Sequence, residues 1–337
     1  MVRSTYIVFP QAGEVAVREE EVPPPGEGQI LCRAIKSLIS IGTESYCLRG
    51  VFDPDTNWAR WVSYPFRPGY SMVAEVIALG PGVDGTYAGA RVLVSSAHQQ
   101  YFLTSPERTL PVPQGVSDED GTWGTLACTT QLAARRGDLA LGESVAVVGL
   151  GMLGQLVVQY LYLAGARRVM AIDLVEGRLE LARDHGATHT IAKDAAAARE
   201  DVVRITGGRM LDAVWDVTGH PAALSQCVQL VRQHGRVILT GDTPTPSQQY
   251  LGAGVLSNSV AILGVHGESH APHYSSHTPW TKPEIVALFY DYLLDGRMRV
   301  SDLVTHRHAP AEAPDVYARL QTERAASIGV VFDWSRV

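Results

Sequence analysis

The sequence predicts an α/β protein in which a doubly wound parallel sheet is joined to a second, β-rich domain. Three observations carry that reading. Glu143-Ser-Val-Ala-Val-Val-Gly149-Leu-Gly151-Met-Leu-Gly154 is an apolar strand that runs into Gly-x-Gly-x-x-Gly and then into a helical pattern. A second strand, Ala166-Arg-Arg-Val-Met-Ala-Ile-Asp173, ends in an acid roughly 20 residues past the glycines. The texture also changes along the chain, from short β-like runs before Gly115 to alternating strands and helices after Ser117.

The early β-like runs are Ile30 to Ile39, Met72 to Leu79, Arg91 to Val94 and Gln100 to Leu103, punctuated by Gly, Pro and Asp. Such spacing suits a compact barrel-like domain. Asp118-Glu-Asp opens a helical stretch leading to Ala133-Ala-Arg-Arg. After Asp173 the pattern gives a helix from Gly177 to His185, a strand from Ala187 to Ile191, and a helix near Ala195 to Thr206. Then come a strand from Leu211 to Val217, a helix from Pro221 to Val231, and strands from Gly235 to Thr240 and Ser259 to Gly264. The remainder holds a loop with His266, His270, His273 and His277, a helix near Pro283 to Leu294, and a last strand from Ile328 to Phe332 that is expected to return to the first domain. The expected division is 1–121 with 265–337, and 122–264.

The glycine turn points to a dinucleotide. Gly149 permits the tight turn, Gly151 lets the backbone approach a pyrophosphate, and Gly154 lets helix pack closely on strand. The anion sits against the helix start at Met152 and Leu153. Asp173 stands where a carboxylate accepts hydrogen bonds from ribose hydroxyls and repels a 2′-phosphate, which favours NAD over NADP. Arg178, with Arg167 and Arg168, leaves NADP open, since a guanidinium can meet a phosphate; a solvated helix face is the alternative. Thr218, Gly241 and Asp242 follow strand ends, where open α/β sheets bind ligands, and His266 follows the last strand of the set.

Composition bounds the partners. The chain has 337 residues, 46% hydrophobic and 19% charged, with a formal net charge of −7. That describes an ordinary globular protein with no basic footprint for nucleic acid or an acidic membrane. Four scattered cysteines form no Cys-x-x-Cys pair, so a reducing cytoplasm is expected. The start runs directly into Tyr6-Ile-Val-Phe9 without a signal-like pattern, and no apolar run approaches membrane-spanning length.

Together the β-rich first part, the later nucleotide part and the returning tail resemble the medium-chain dehydrogenase/reductase family over nearly the whole chain. The resemblance implies a Rossmann domain at 122–264, a GroES-like catalytic domain, a small-molecule substrate, and a homodimer or homotetramer. Ser40-Ile-Gly-Thr-Glu44 stands where zinc-dependent members have Cys-Gly-Thr-Asp, and Pro68-Gly-Tyr70-Ser71 stands where they have Gly-His-Glu. Gly89-Ala-Arg-Val-Leu93 is similar to their Gly-Asp-Arg-Val. The pairing of Gly-Thr-Glu with Pro-Gly-Tyr is similar to a zinc-lacking branch, which includes the bacteriochlorophyllide hydroxyethyl dehydrogenases.

The departures decide the expected chemistry. Zinc takes thiolate, imidazole or carboxylate ligands, yet Ile41 replaces the cysteine and Tyr70 the histidine. Gly124 and Thr125 stand near the third position, Cys128 comes a few residues late, and the four-cysteine structural lobe is missing. No zinc is expected. A side chain must then donate to, or accept from, the reacting oxygen. Tyr70 is the first candidate, with packing beneath the nicotinamide as its alternative. Thr43 matches the family threonine that hydrogen-bonds the reacting oxygen, or else makes a turn bond. Glu44 fixes the local loop or orients Thr43 or Arg49. Tyr46 stands where some alcohol dehydrogenases carry a relay histidine, unless it is simply solvated. His98 could line a cleft as a base or be a satisfied surface histidine. Trp58, Trp61 and Tyr64 supply a pocket wall, a dimer contact or packing. The expected activity is zinc-independent, NAD-dependent interconversion of a secondary alcohol and a ketone on a polyol, cyclitol or sugar-like metabolite. The alternatives are an NADPH-dependent quinone or enone reductase and a non-catalytic NAD-binding protein.

Overall fold

A computed structural model of the chain describes residues 1–267, 269–275 and 280–337. The expected loop histidine His277 lies outside the described residues. Two compact units emerge, one formed by 1–125 with 286–337 and the other by 126–285.

The second unit is built on six parallel strands ordered His189–Ala192, Arg168–Asp173, Ser144–Val148, Leu211–Asp216, Val231–Leu239 and Ala261–Gly264. In chain order this reads 3-2-1-4-5-6, the doubly wound order of a Rossmann sheet. Every residue of the central strand Ser144–Val148 is buried, as a parallel strand covered on both faces must be. Val145 and Val147 pack with Leu150, Val157 and Leu161 on one face. Ala146 and Val148 pack with Met170, Ile172 and Val214 on the other. The period-2 alternation thus feeds two separate cores from one strand. Two expected boundaries move. The helix after Pro221 spans only Ala223–Val228, because Val231 already pairs with Leu211 at the start of the next strand. The return to the first unit comes at 286 rather than 265. Within the second unit, Gln131 Nε2 donates to the Ile285 carbonyl at 3.1 Å, and the Arg135 guanidinium lies over the Trp280 ring.

The first unit pairs Val2–Val8 with Ala16–Val22 in an antiparallel ribbon. Its main sheet runs Val304–His308, Gly329–Asp333, Ile30–Leu38, Met72–Leu79, Arg91–Val94 and Thr109–Pro111, and Tyr101–Thr104 also pairs with Ile30–Leu38. The returning tail enters this sheet as expected, with Val331 opposite Leu38 and Asp333 opposite Lys36. Helix Ala313–Thr322 and strand Val304–His308 were not signalled by the sequence pattern. Neither was the helix Ile41–Arg49, whose Gly42, Thr43 and Ser45 are poor helix formers. Gly50 ends that helix in the left-handed region at φ 65°, where its N–H reaches the Tyr46 carbonyl.

Among the described residues no helix is long and apolar enough to cross a membrane. All four cysteines are buried, and none is joined in a disulfide.

Candidate active site

In the second unit the glycine turn has three different physical demands. Gly149 sits at φ 89°, and a Cβ there would meet Thr218 Cγ2 at 2.8 Å. A Cβ on Gly154 would lie 2.0 Å from the Gly149 carbonyl oxygen, so the first turn of helix Met152–Leu163 closes directly onto the strand end. Gly151 is different: its φ is −69°, and an added Cβ meets nothing within 4 Å. Neither backbone strain nor packing requires glycine at that position. The cap makes no side-chain hydrogen bond, which leaves the amides that open the helix available to an anion. These residues therefore fit a pyrophosphate.

Asp173 stands at the end of its strand and braces the same turn. One carboxylate oxygen accepts from the Leu150 N–H at 2.7 Å, and the other accepts from the Val175 N–H at 2.9 Å. Arg178 Nη1 is 3.9 Å from the Asp173 carboxylate. Asp216, buried at the end of a neighbouring strand, accepts from both the backbone N–H and the hydroxyl of Thr218, at 3.0 and 2.7 Å. Burial pushes the Asp216 carboxyl above its ordinary range, against the lowering effect of those two bonds. Gly241 lies tight under this loop, where a Cβ would come within 2.4 Å of Gly219 N. Met152 is buried, Leu153 is partly exposed, and Asp242 and His266 are exposed on segments after strand ends. Thus Gly149, Thr218 and Gly241 come together, as do Leu150, Asp173 and Arg178.

In the first unit three hydroxyls converge. Tyr70 donates to Ser40 Oγ at 2.5 Å, and its oxygen is 3.4 Å from Thr43 Oγ1. Burial pushes the phenol up to about 12, opposed by the bonds to Ser40 and Thr43 and reinforced by the nearby Glu44 carboxylate. Tyr70 is therefore a protonated donor at neutral pH. Ser40 caps helix Ile41–Arg49 but makes no side-chain cap bond, because its hydroxyl serves Tyr70.

His98 takes neither role read from the sequence, whereas Glu44 takes the first of its own and fixes the local loop through the Ser40 N–H. His98 is fully buried rather than lining a cleft, since its ring packs under Gly69, where a Cβ would meet His98 Cγ at 2.9 Å. Both ring nitrogens are engaged, Nδ1 with Ser37 Oγ at 2.7 Å and Nε2 with Glu44 Oε2 at 3.1 Å. Glu44 contacts neither expected partner. It accepts from the Ser40 N–H at 2.8 Å and from the Tyr317 hydroxyl, while Arg49 bonds the Ser45 carbonyl and lies over the Tyr46 ring. Tyr46 stands apart, edge-on to Trp58. Trp58 also stacks on Phe52 and tilts against Trp61, and Tyr64 donates to the Cys47 carbonyl, so Trp58 and Tyr64 serve packing, whereas Trp61 is 44% exposed. Sequence reasoning passed over Ser40, Ser37, Tyr317 and Trp334. Only Ser40 carried a local signal, its place beside Ile41.

The donor set fits zinc poorly. Ile41 is a buried apolar side chain, the Tyr70 hydroxyl is committed to Ser40, and in the second unit Cys128 Sγ faces the Gly267 carbonyl at 3.9 Å. Among the described residues no three His, Cys, Asp or Glu side chains gather where they could hold a metal ion.

Comparison with known proteins adds the family. A family model described as zinc-binding dehydrogenase matches residues 153–278. A Mycobacterium tuberculosis protein named "Probable zinc-binding alcohol dehydrogenase" is 35% identical over 271 residues, covering 70% of this chain and 67% of its own. The chain belongs to the medium-chain dehydrogenase/reductase family. Sorbitol dehydrogenase of Bacillus subtilis is 26% identical over 292 residues, 77% of this chain and 78% of its own. Galactitol-1-phosphate dehydrogenase from Escherichia coli shares the fold at 18% identity, with a TM-score of 0.79 over 98% of this chain and 99% of that one. This family member is accordingly a dehydrogenase/reductase with a Rossmann and a GroES-like domain.

Proposed function

We propose that the protein is a zinc-independent, NAD-dependent dehydrogenase that interconverts a secondary alcohol and a ketone on a polyol, cyclitol or sugar-like metabolite. The observation that carries the proposal is the hydroxyl cluster Tyr70, Ser40 and Thr43, standing with Ile41 at the two positions where zinc-dependent relatives place histidine and cysteine. The polyol class is supported by the similarity to sorbitol dehydrogenase.

The glycine turn and the opening amides of helix Met152–Leu163 would hold the pyrophosphate of NAD, and Asp173 the ribose hydroxyls. When bound, the nicotinamide accepts or returns a hydride. On substrate binding the Tyr70 O–H turns from Ser40 Oγ to the substrate oxygen, to which Thr43 also hydrogen-bonds. In ketone reduction the Tyr70 O–H gives its proton to the oxygen as charge develops there, the role of a general acid. Alcohol oxidation is the reverse of the same step, the substrate hydroxyl proton passing to the phenolate oxygen of Tyr70 as the hydride leaves carbon. Asp173 favours NAD, because a 2′-phosphate would face its carboxylate. A cytoplasmic homodimer or homotetramer accompanies this reading, and sedimentation of the purified protein measures the assembly.

The test combines metal content, NAD and NADP affinities, and turnover of EDTA-treated protein on polyols, cyclitols, ketones and enones. Metal-free turnover of a polyol or cyclitol with NAD is the expected result. Activity that needs stoichiometric zinc, or that appears only with NADPH and enones or quinones, overturns the proposal.

A further inference from the structure

Joined to the hydroxyl cluster through Glu44 lies a buried polar chain. Glu44, His98, Ser37 and Tyr317 are each at most 1% exposed, and Trp334 is 3% exposed. Buried polar groups of this kind are costly unless every one is satisfied. Here one donor order satisfies them all. Trp334 Nε1–H donates to Ser37 Oγ at 2.9 Å, the Ser37 hydroxyl donates to His98 Nδ1, and His98 Nε2–H donates to Glu44 Oε2. Tyr317 O–H donates to the same carboxylate oxygen, and the Ser40 backbone N–H donates to Oε1. Three donors from three separate parts of the first unit thus end on one carboxylate. The order also fixes the His98 tautomer, because Ser37 Oγ already accepts from Trp334 and turns its own proton toward Nδ1.

The carboxylate is one residue removed from the reacting hydroxyls. Its Oε1 holds the backbone of Ser40, whose side chain holds Tyr70. A helix start that relied on its own cap would draw the Ser40 hydroxyl toward the free amides. Glu44 instead grips Ser40 by the backbone, which releases that hydroxyl to face Tyr70.

We propose that Glu44, clamped by His98 and Tyr317, is the positioning residue for the Ser40–Tyr70 pair, so that the placement of the reacting phenol is set by a carboxylate that never touches substrate. The inference rests on the proposed role of Tyr70. Electrostatics follow from the same geometry. The groups facing the Tyr70 oxygen are the hydroxyls of Ser40 and Thr43, with Glu44 and the buried, neutral Cys47 thiol on the same helix. Glu44 is the group whose charge disfavours the phenolate. Removing that charge lowers the Tyr70 pKa, and loosening the clamp without removing the charge alters the Tyr70 environment without such a fall.

The experiment follows Tyr70 itself. Protein labelled with [13Cζ]tyrosine is titrated, the Tyr70 resonance being assigned by its loss in Tyr70→Phe. In Glu44→Gln the Tyr70 midpoint is expected to fall by about one unit from its value near 12. In Tyr317→Phe, which keeps the ring against Phe9 and Phe332, the Tyr70 resonance is expected to shift at pH 8. Turnover of the best polyol of the panel is expected to drop ~10-fold in Tyr317→Phe with NAD affinity unchanged. An unchanged Tyr70 resonance in Tyr317→Phe overturns the proposal, whether or not Glu44→Gln folds. So does a lowered melting temperature with unchanged turnover, since a purely structural network would give that result. Full turnover in Tyr70→Phe is a different failure: it removes the reading of Tyr70 as donor while the resonance still reports on the clamp.

Discussion

Gly151 and Gly154 lie three positions apart in one turn, and the structure assigns them separable burdens. An alanine at 154 sets its Cβ 2.0 Å from the Gly149 carbonyl oxygen, a backbone atom that cannot swing aside. Overpacking of this kind costs ~1–3 kcal/mol, and a rigid backbone partner puts the figure at the upper end. For a unit of about 160 residues, each kcal/mol is worth about 2–4 °C, so Gly154→Ala is expected to melt about 6–12 °C below the wild type. An alanine at 151 meets nothing within 4 Å and keeps an ordinary φ of −69°. It narrows the unfolded ensemble, so its stability is expected to stay level or rise by about 0.4–1 kcal/mol. The same methyl projects into the space through which a pyrophosphate approaches the helix start, and NAD affinity is expected to fall at least ~10-fold, or about 1.4 kcal/mol. Thermal melts and calorimetric titration with NAD separate the two effects. If Gly151→Ala binds NAD as the wild type does, or Gly154→Ala melts with it, the geometric reasoning about this turn fails.

Further outcomes follow from the same sites. Tyr70→Phe is expected to reduce turnover ~10²–10⁴-fold with NAD affinity retained, as removal of a general acid does; steady-state kinetics beside NAD titration decide it. Asp173→Ala loses acceptors for the Leu150 and Val175 amides as well as the ribose contact. A stability loss of about 1–3 kcal/mol is expected together with a shift of preference toward NADP, read by denaturant melts and paired titrations. Asp216 has a folded pKa raised by burial, so its protonated form is the one folding favours. Its contribution is full below the unfolded value near 4 and is lost as pH rises through the higher folded value. The stability of the wild type relative to Asp216→Asn is therefore expected to decline as pH rises above about 4 in urea melts, and a constant difference counts against the raised pKa.

Much of the second unit was legible because its signals are local. Ser144–Val148 is apolar at every position and flows into three glycines with distinct duties, so strand, turn and helix agreed within a dozen residues. The boundary near Val231 was misjudged because the strand that starts there passes through polar Arg232, Gln233 and His234, which read as a loop, and only pairing with Leu211 reveals it. In the first unit, Tyr70 and Thr43 were found through the family resemblance, Tyr70 at the histidine position and Thr43 at the threonine position of the zinc-dependent members. Their supports were invisible, because Tyr317 and Trp334 reach Glu44 and Ser37 from 273 and 297 positions away. His98 looked like a base for the same reason. Burial under Gly69 is a property of packing, and no local pattern encodes it.

The discontinuity of the first unit has a consequence for the nascent chain. Residues 126–285 form one continuous stretch, able to complete their sheet as they emerge. Lys36, Ser37 and Leu38 must wait for Asp333, Phe332 and Val331 to close the sheet beside them. At translation rates of ~5–20 residues per second that wait lasts roughly 15–60 s. At the middle of the waiting edge stands Ser37, the hydroxyl that joins Trp334 to His98. The nucleotide fold is thus complete before the last strand arrives, and the polar chain beneath Tyr70 closes only with that strand.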